Sequence, residues 1–280
     1  YHHLVDEPHA AWLAGELAAG ARVGCDPRMH SLRWYRETAA TLEAAGLSLV
    51  SCTDNPVDAC WSERPAPLVS PALLLEQSYT GTSSADKRER IAALTREKGA
   101  DAALVFAPDS VSWLTNTRGT DIPCLPILQS FALLQSSGEL TVFVDPGRVP
   151  GGFAAHVGPG VTVLAESEAE KVLSGFSGRQ VLADPDTANA WTQLVLEAGG
   201  ATLVAGEDPV LIPKACKNEV EIEGARQAPV RDAVAEIKFL AWLDAEVAAG
   251  RLHDEAHLAD RLAGFREQSE HYRGPSFDTI

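Results

Sequence analysis

Two stretches of this 280-residue sequence repeat one another in order, and a repeated strand–helix–strand unit confines a chain to α/β architectures. The first copy runs Val23-Gly24-Cys25-Asp26-Pro27, a helical pattern through Trp34 and Leu42, Gly46, Leu47 to Val50, and Asn55-Pro56-Val57. The second runs Val181-Leu182-Ala183-Asp184-Pro185, a helical pattern through Trp191 and Leu196, Gly200, Ala201 to Val204, and Asp208-Pro209-Val210. The offset is 158 positions at the Asp-Pro pair (26 to 184) and 154 at the helix end (42 to 196). A second helix shorter by about one turn accounts for the difference. Each copy reads as strand, Asp-Pro turn, amphipathic helix, Gly stop and strand.

The second copy closes a unit that begins near Ser84, which places Val181 97 residues in, whereas 22 residues precede Val23. Two units of similar size would therefore leave about 75 residues of the first outside this sequence. A proline-rich connector, Pro65-Ala66-Pro67 to Ser70-Pro71, separates the units. Ser83, three residues before Asp86, opens a helix that Lys98-Gly99 ends. Ala102 to Phe106 reads as a buried strand, and a short helix surrounds Val111, Trp113 and Leu114. Ile127 to Leu134 and Leu140 to Val144 form a hairpin, and Val161 to Val163 adds a strand. Ser167, with Glu170 three positions on, starts a helix ending at Ser174-Gly175.

The character changes at Pro213. Asn218 and Glu221 make a capping box, followed by an apolar stripe at Val230, Ala233, Val234, Ile237, Leu240 and Ala241. Pro229 should kink or split this helix near Ala228. A second helix starts at Asp254 with Leu258, Leu262 and Phe265 inward, and two such helices alone cannot bury both stripes. Pro275 to Ile280 reads as a strand just beginning.

A net charge of −16 argues against a nucleic-acid or anionic-membrane partner. No apolar run approaches the roughly 18 residues of a bilayer span. The five cysteines (Cys25, Cys52, Cys60, Cys124, Cys216) contain no C-x-x-C pair, suit a reducing cytoplasm, and read as buried, inert thiols. Phosphate loops and a G-x-S-x-G nucleophile turn are absent. His253-Asp254-Glu255-Ala256-His257 sets two histidines four apart, yet reads as a solvated helix N-terminus whose acids favour the positive end of the dipole. His156 and the pair His2-His3 lack partners at recognisable spacing. In Asn116-Thr117-Arg118-Gly119-Thr120-Asp121, Arg118 and Asp121 can pair with each other, brace a neighbouring unit, or hold a substrate carboxylate.

Trp113-Leu114-Thr115-Asn116-Thr117-Arg118-Gly119-Thr120-Asp121 resembles the Trp-Leu-x-Asn-x-Arg-Gly-x-Asp signature of the aminopeptidase P family, in its long three-domain branch. Lys217 to Arg226 resembles the opening of that family's catalytic domain. Tyr79-Thr80-Gly81, Phe239 to Leu243 and Pro275 to Ile280 match in order. The resemblance implies an α/β fold: creatinase N-terminal-like mixed-sheet domains, the first incomplete, followed by the opening helices of a pita-bread α+β catalytic domain. The boundaries expected are 1–76, 77–208 and 209–280. It implies a cytoplasmic, homodimeric enzyme that releases the residue before proline from peptides, using two manganese or zinc ions held by two Asp, one His and two Glu. All five ligands would fall after Ile280, so catalytic and metal residues are expected to be absent, no metal is expected on this stretch, and Arg118 and Asp121 remain as possible loop contacts toward the active site. The alternative is a non-catalytic peptide- or protein-binding module on the same scaffold. The chain departs from the family at two sites: Cys124-Leu125 stand where His-Thr is common, and Pro229 where His is usual.

Overall fold

A computed structural model describes residues 3, 5–66 and 69–278. His2, Pro67, Thr279 and Ile280, which enter the sequence readings above, lie outside the described residues. The chain opens with α1 (His9–Glu16), then β1 (Arg22–Cys25), α2 (Leu32–Ala44), β2 (Ser48–Ser51) and α3 (Pro56–Cys60). β1 and β2 pair in parallel as a two-stranded sheet, Val23 opposite Leu49. After the connector come β3 (Leu73–Leu74), α4 (Gln77–Thr80), α5 (Ser84–Glu97), β4 (Ala102–Val105), α6 (Pro108–Thr115) and β5 (Thr117–Arg118). Then follow β6 (Phe131–Gln135), β7 (Leu140–Phe143), α7 (Phe153–Val157), β8 (Val161–Leu164), α8 (Ala169–Ser174), β9 (Gln180–Ala183), α9 (Ala190–Ala198) and β10 (Thr202–Ala205).

Six of these strands form one mixed sheet in the order β10-β9-β4-β6-β7-β8. Its central strand β4 is buried along its whole length, as a four-residue apolar run with helices on both faces requires. On one face Leu104, Leu133 and Phe143 pack with Leu173 and Leu196; on the other, Val105, Ala132 and Leu134 pack with Ile91 and Leu114. Ser83 caps α5 through the amide of Asp86, as its spacing predicts. Ser167 does not cap α8: a 3-10 turn at Glu166–Glu168 leads into that helix instead. The hairpin forms with its first strand starting at Phe131 rather than Ile127, because 127–130 passes against Gly119 and Asp121.

The repeat is physical. β9 and β10 pair in parallel as β1 and β2 do, with partners 22 residues apart (Gln180 to Thr202) against 26 (Arg22 to Ser48). The four-residue difference is the difference between α9, of 9 residues, and α2, of 13. Ser31 and Asn189 cap the two helices through the amides of Trp34 and Thr192. Asp26 and Asp184 each accept the amide two residues on, which fixes both Asp-Pro turns. Gly46 and Gly200 take positive φ at the two helix stops.

The two units face each other across an approximate two-fold axis. Arg33 donates its amide to Pro185 O and Trp191 its amide to Pro27 O, both at 3.0 Å. Leu32 donates to Ala188 O, and Ala190 to His30 O. Side chains at equivalent positions have diverged: the Arg28 guanidinium lies 4.2 Å from the Trp191 ring centroid, while Asp186 and Arg33 pair ionically.

The tail comprises α10 (Leu211–Ala215), α11 (Glu219–Ala248) and α12 (Glu255–Arg266). Asn218 and Glu221 complete the capping box, and Asp254 caps α12. Pro229 does not split α11, which is continuous over 30 residues. The surrounding helix surface is exposed, so water can satisfy the carbonyl that proline leaves without a donor. α12 packs on α11 beside Trp242, with Leu258, Leu262 and Phe265 half-buried, and Ala235 is the buried residue of α11. The stripe of Val230, Val234, Ile237 and Leu240 lies open, as expected of a pair of helices with nothing over them. Among the described residues 275–278 form no strand; a strand needs a paired neighbour, and none lies beside them. Among the described residues no helix is long and apolar enough to cross a membrane.

Candidate functional site

The motif that begins at Trp113 ends α6, turns, and forms β5. Asn116 makes the turn at φ 52°, a left-handed conformation that Asn tolerates better than most residues. Both ends of its side chain are engaged: Oδ1 accepts from Lys87 Nζ at 2.7 Å and Nδ2 donates to Thr82 O at 2.9 Å. Its carbonyl accepts the Leu75 amide and lies 3.0 Å from His156 Nε2. A carbonyl can only accept, so Nε2 carries the proton. His156 thus has a partner that spacing could not reveal, 40 residues away.

Gly119 follows because backbone runs against it. A Cβ there would stand 2.6 Å from Ile127 O and 2.9 Å from Leu128 Cα. We expect Gly119→Ala to cost about 2 kcal/mol of stability through overpacking, read as a lower denaturant midpoint with unchanged slope. An unshifted midpoint would show that this backbone yields freely.

Asp121 is buried, and its partner is Arg148 rather than Arg118. The carboxylate also accepts the Ser70 amide at 3.1 Å, the Ser70 hydroxyl at 2.8 Å and the Gln129 amide at 2.7 Å. Arg148 Nε reaches Ser70 O as well. Burial pushes the carboxyl up, but Arg148, Gln129 and Ser70 together outweigh it and hold the pKa below its usual value. Asp121 therefore pins its own loop, the connector and the segment after β7 at one point. Arg148 was missed because nothing local marks a partner 27 residues away.

Arg118 is the last residue of β5, opposite Leu73 of β3. It is half-buried and donates to Thr117 O. Burial pushes its pKa down, and Glu221, on the first turn of α11, pulls the other way. Lys87 is held down to about 8 by burial; Glu221 opposes this, whereas Arg118 and Lys217 reinforce it. Asn218 ties the start of α11 to this region, donating to Thr80 O at 2.8 Å. The motif thus splits into a structural half at Asp121 and a charged half at Lys87, Arg118 and Glu221, against the tail.

The remaining candidates resolve differently. His253 Nε2 meets Glu246 at 2.9 Å and its half-buried ring stacks on Trp242 and His257, while Asp254 to His257 are exposed and Asp254 caps α12, as a solvated helix N-terminus requires. His3 pairs with Asp6 on the surface. None of the five free thiols is buried: Cys60 and Cys216, at the ends of short surface helices, are exposed, and the others are half-buried. Cys124 lies at φ 63° with its thiol 3.7 Å from Asp278. Among the described residues no three His, Cys, Asp or Glu side chains are grouped to hold a metal ion.

With a mixed α/β sheet and this motif in place, the class is defined. Residues 63–221 match the Creatinase/Prolidase N-terminal domain, and the chain belongs to that family. Its relatives are more specific. Over 96% of this chain it is 34% identical to the Xaa-Pro aminopeptidase ApepP of Drosophila melanogaster and 31% identical to the Xaa-Pro aminopeptidase app-1 of Caenorhabditis elegans. The solved X-prolyl aminopeptidase from C. elegans, described as a cytosolic enzyme with a di-nuclear active site, superposes on 97% of the chain with TM-score 0.88 and 30% identity. The chain spans 44% of the length of both curated relatives and 45% of that structure.

Proposed function

We propose that this chain is the non-catalytic front of a cytoplasmic, metal-dependent aminopeptidase that releases the N-terminal residue from peptides with proline second. The observation that carries the reading is the match along 97% of the chain, at TM-score 0.88, to an X-prolyl aminopeptidase. In this reading 1–76 is the rear of a first creatinase-like domain, 77–208 a complete second one, and 209–280 the start of the pita-bread domain. The whole enzyme is a homodimer, and its two manganese or zinc ions are held by residues outside these 280. When bound, the ions would polarise the scissile carbonyl and activate water. The residues described here serve by shaping and orienting: Asp121 fixes the loop after β5, and Arg118 faces the start of α11.

The 280-residue chain alone, purified with added manganese or zinc, is expected to release no residue from an Xaa-Pro peptide. Sustained turnover by a preparation free of other peptidases would sink the proposal. If a longer form carrying this stretch also failed to cleave and instead retained peptides, the binding-module alternative would replace it.

A further inference from the structure

Lys87, Arg118 and Lys217 lie about the junction between β5 and the start of α11, where among the described residues Glu221 is the carboxylate that acts on Lys87 and Arg118. Lys87 is 3% exposed, and its two hydrogen bonds go to neutral oxygens, Asn116 Oδ1 at 2.7 Å and Trp113 O at 3.2 Å. Arg118 donates to the Thr117 carbonyl at 2.7 Å, and Lys217 to the Lys214 carbonyl. None of the three forms an ion pair among the described residues. Glu221 acts on Lys87 and Arg118 through space, yet its Oε2 already accepts the Asn218 amide at 3.0 Å.

Such an arrangement is costly as it stands. Buried charges are normally opposed by a counter-charge, and Arg148 shows the rule in this same motif. The positive end of α11 adds to the imbalance rather than relieving it. The indole of Trp113, whose centroid is 4.3 Å from Lys87 Nζ, has a buried N–H with no acceptor. Arg118 keeps most of its donors unused, in the planar fork that suits two oxygens of one anion. Lys217 is exposed, so the cluster reaches solvent on that side.

We propose that Lys87, Arg118 and Lys217 form a binding site for a carboxylate ligand, with the guanidinium taking its two oxygens. The site does not depend on the peptidase reading: it would exist in the chain as it stands. A peptide's terminal carboxylate and a small organic acid share the needed chemistry.

The test is a 13C NMR titration of Lys87 in the 280-residue chain labelled at lysine Cε, at constant ionic strength. N-acetylglycine should give a saturable shift; N-acetylglycinamide, chloride and inorganic phosphate should not match it. A C-terminally free peptide against its amide then separates a peptide source from a small acid. Arg118→Gln should weaken binding about ten- to hundredfold, as loss of a charge-assisted pair predicts. Lys217→Gln, an exposed change that leaves folding alone, should weaken it less. If Arg118→Gln fails to fold by circular dichroism, Lys217→Gln carries the test. No saturable response, an equal response to the amide or to chloride, phosphate alone binding, or binding unchanged in every folded variant would overturn the site.

Discussion

Replacing Asp121 by alanine is expected to lower the unfolding free energy by about 3–5 kcal/mol, the cost of stripping one partner from a buried ion pair. The substitution would leave the Arg148 guanidinium, 10% exposed, without its counter-charge. It would also leave the Ser70 and Gln129 amides without acceptors. Denaturant unfolding reads the loss, and a double-mutant cycle with Arg148→Met separates coupling from packing. A combined variant as unstable as the sum of the two singles would mean that the pair is not coupled. The folded carboxyl titrates below its ordinary 3.8. Its contribution is therefore complete above that value and fades as pH falls through the lower folded pKa. Wild type and Asp121→Ala should thus converge in stability under acid and stay apart at neutral pH.

Removing the guanidinium of Arg88 should have the second-largest effect. This side chain, 5% exposed on α5, donates to Gly138 O at 2.7 Å, Val157 O at 3.1 Å and Pro159 O at 2.9 Å. One planar group thereby fastens the β6–β7 hairpin and the turn before β8 to the helix beneath them. Arg88→Met keeps most of the apolar stem and strands three carbonyls, for an expected loss of about 3 kcal/mol. Arg88→Lys should recover only part, because one ammonium cannot reproduce the spread of the fork. Hydrogen exchange should quicken at the hairpin turn and at 157–161. Full stability in Arg88→Met would show that water satisfies these carbonyls as well as the guanidinium does.

What could be read from the chain was what adjacent residues encode. The helix shorter by four residues, the Asp-Pro turns, the caps at Ser83, Asn218 and Asp254, and the hairpin each rest on neighbours within a few positions, where spacing and chemistry coincide. Partners brought by folding left no such mark: Arg148 for Asp121, Asn116 O for His156 and Glu246 for His253. The split expected at Pro229 is absent for a related reason. Its penalty is real, but an exposed helix can meet it with solvent, and exposure is not written locally. The motif from Trp113 to Asp121 contains both charged residues. It could not say that Asp121 and Arg118 serve different ends of the loop.

The quasi-dyad has a consequence for which halves can meet. Arg28 corresponds to Asp186, and Arg33 to Trp191, across the two units. Were two first units to dock in this geometry, each Arg28 would confront an Arg33; two second units would set each Asp186 against the π face of Trp191. Only the mixed pairing gives cation to indole on one side and cation to carboxylate on the other. Each contact is modest at the surface. Acting together, they make the handshake recognise its opposite number and refuse its twin.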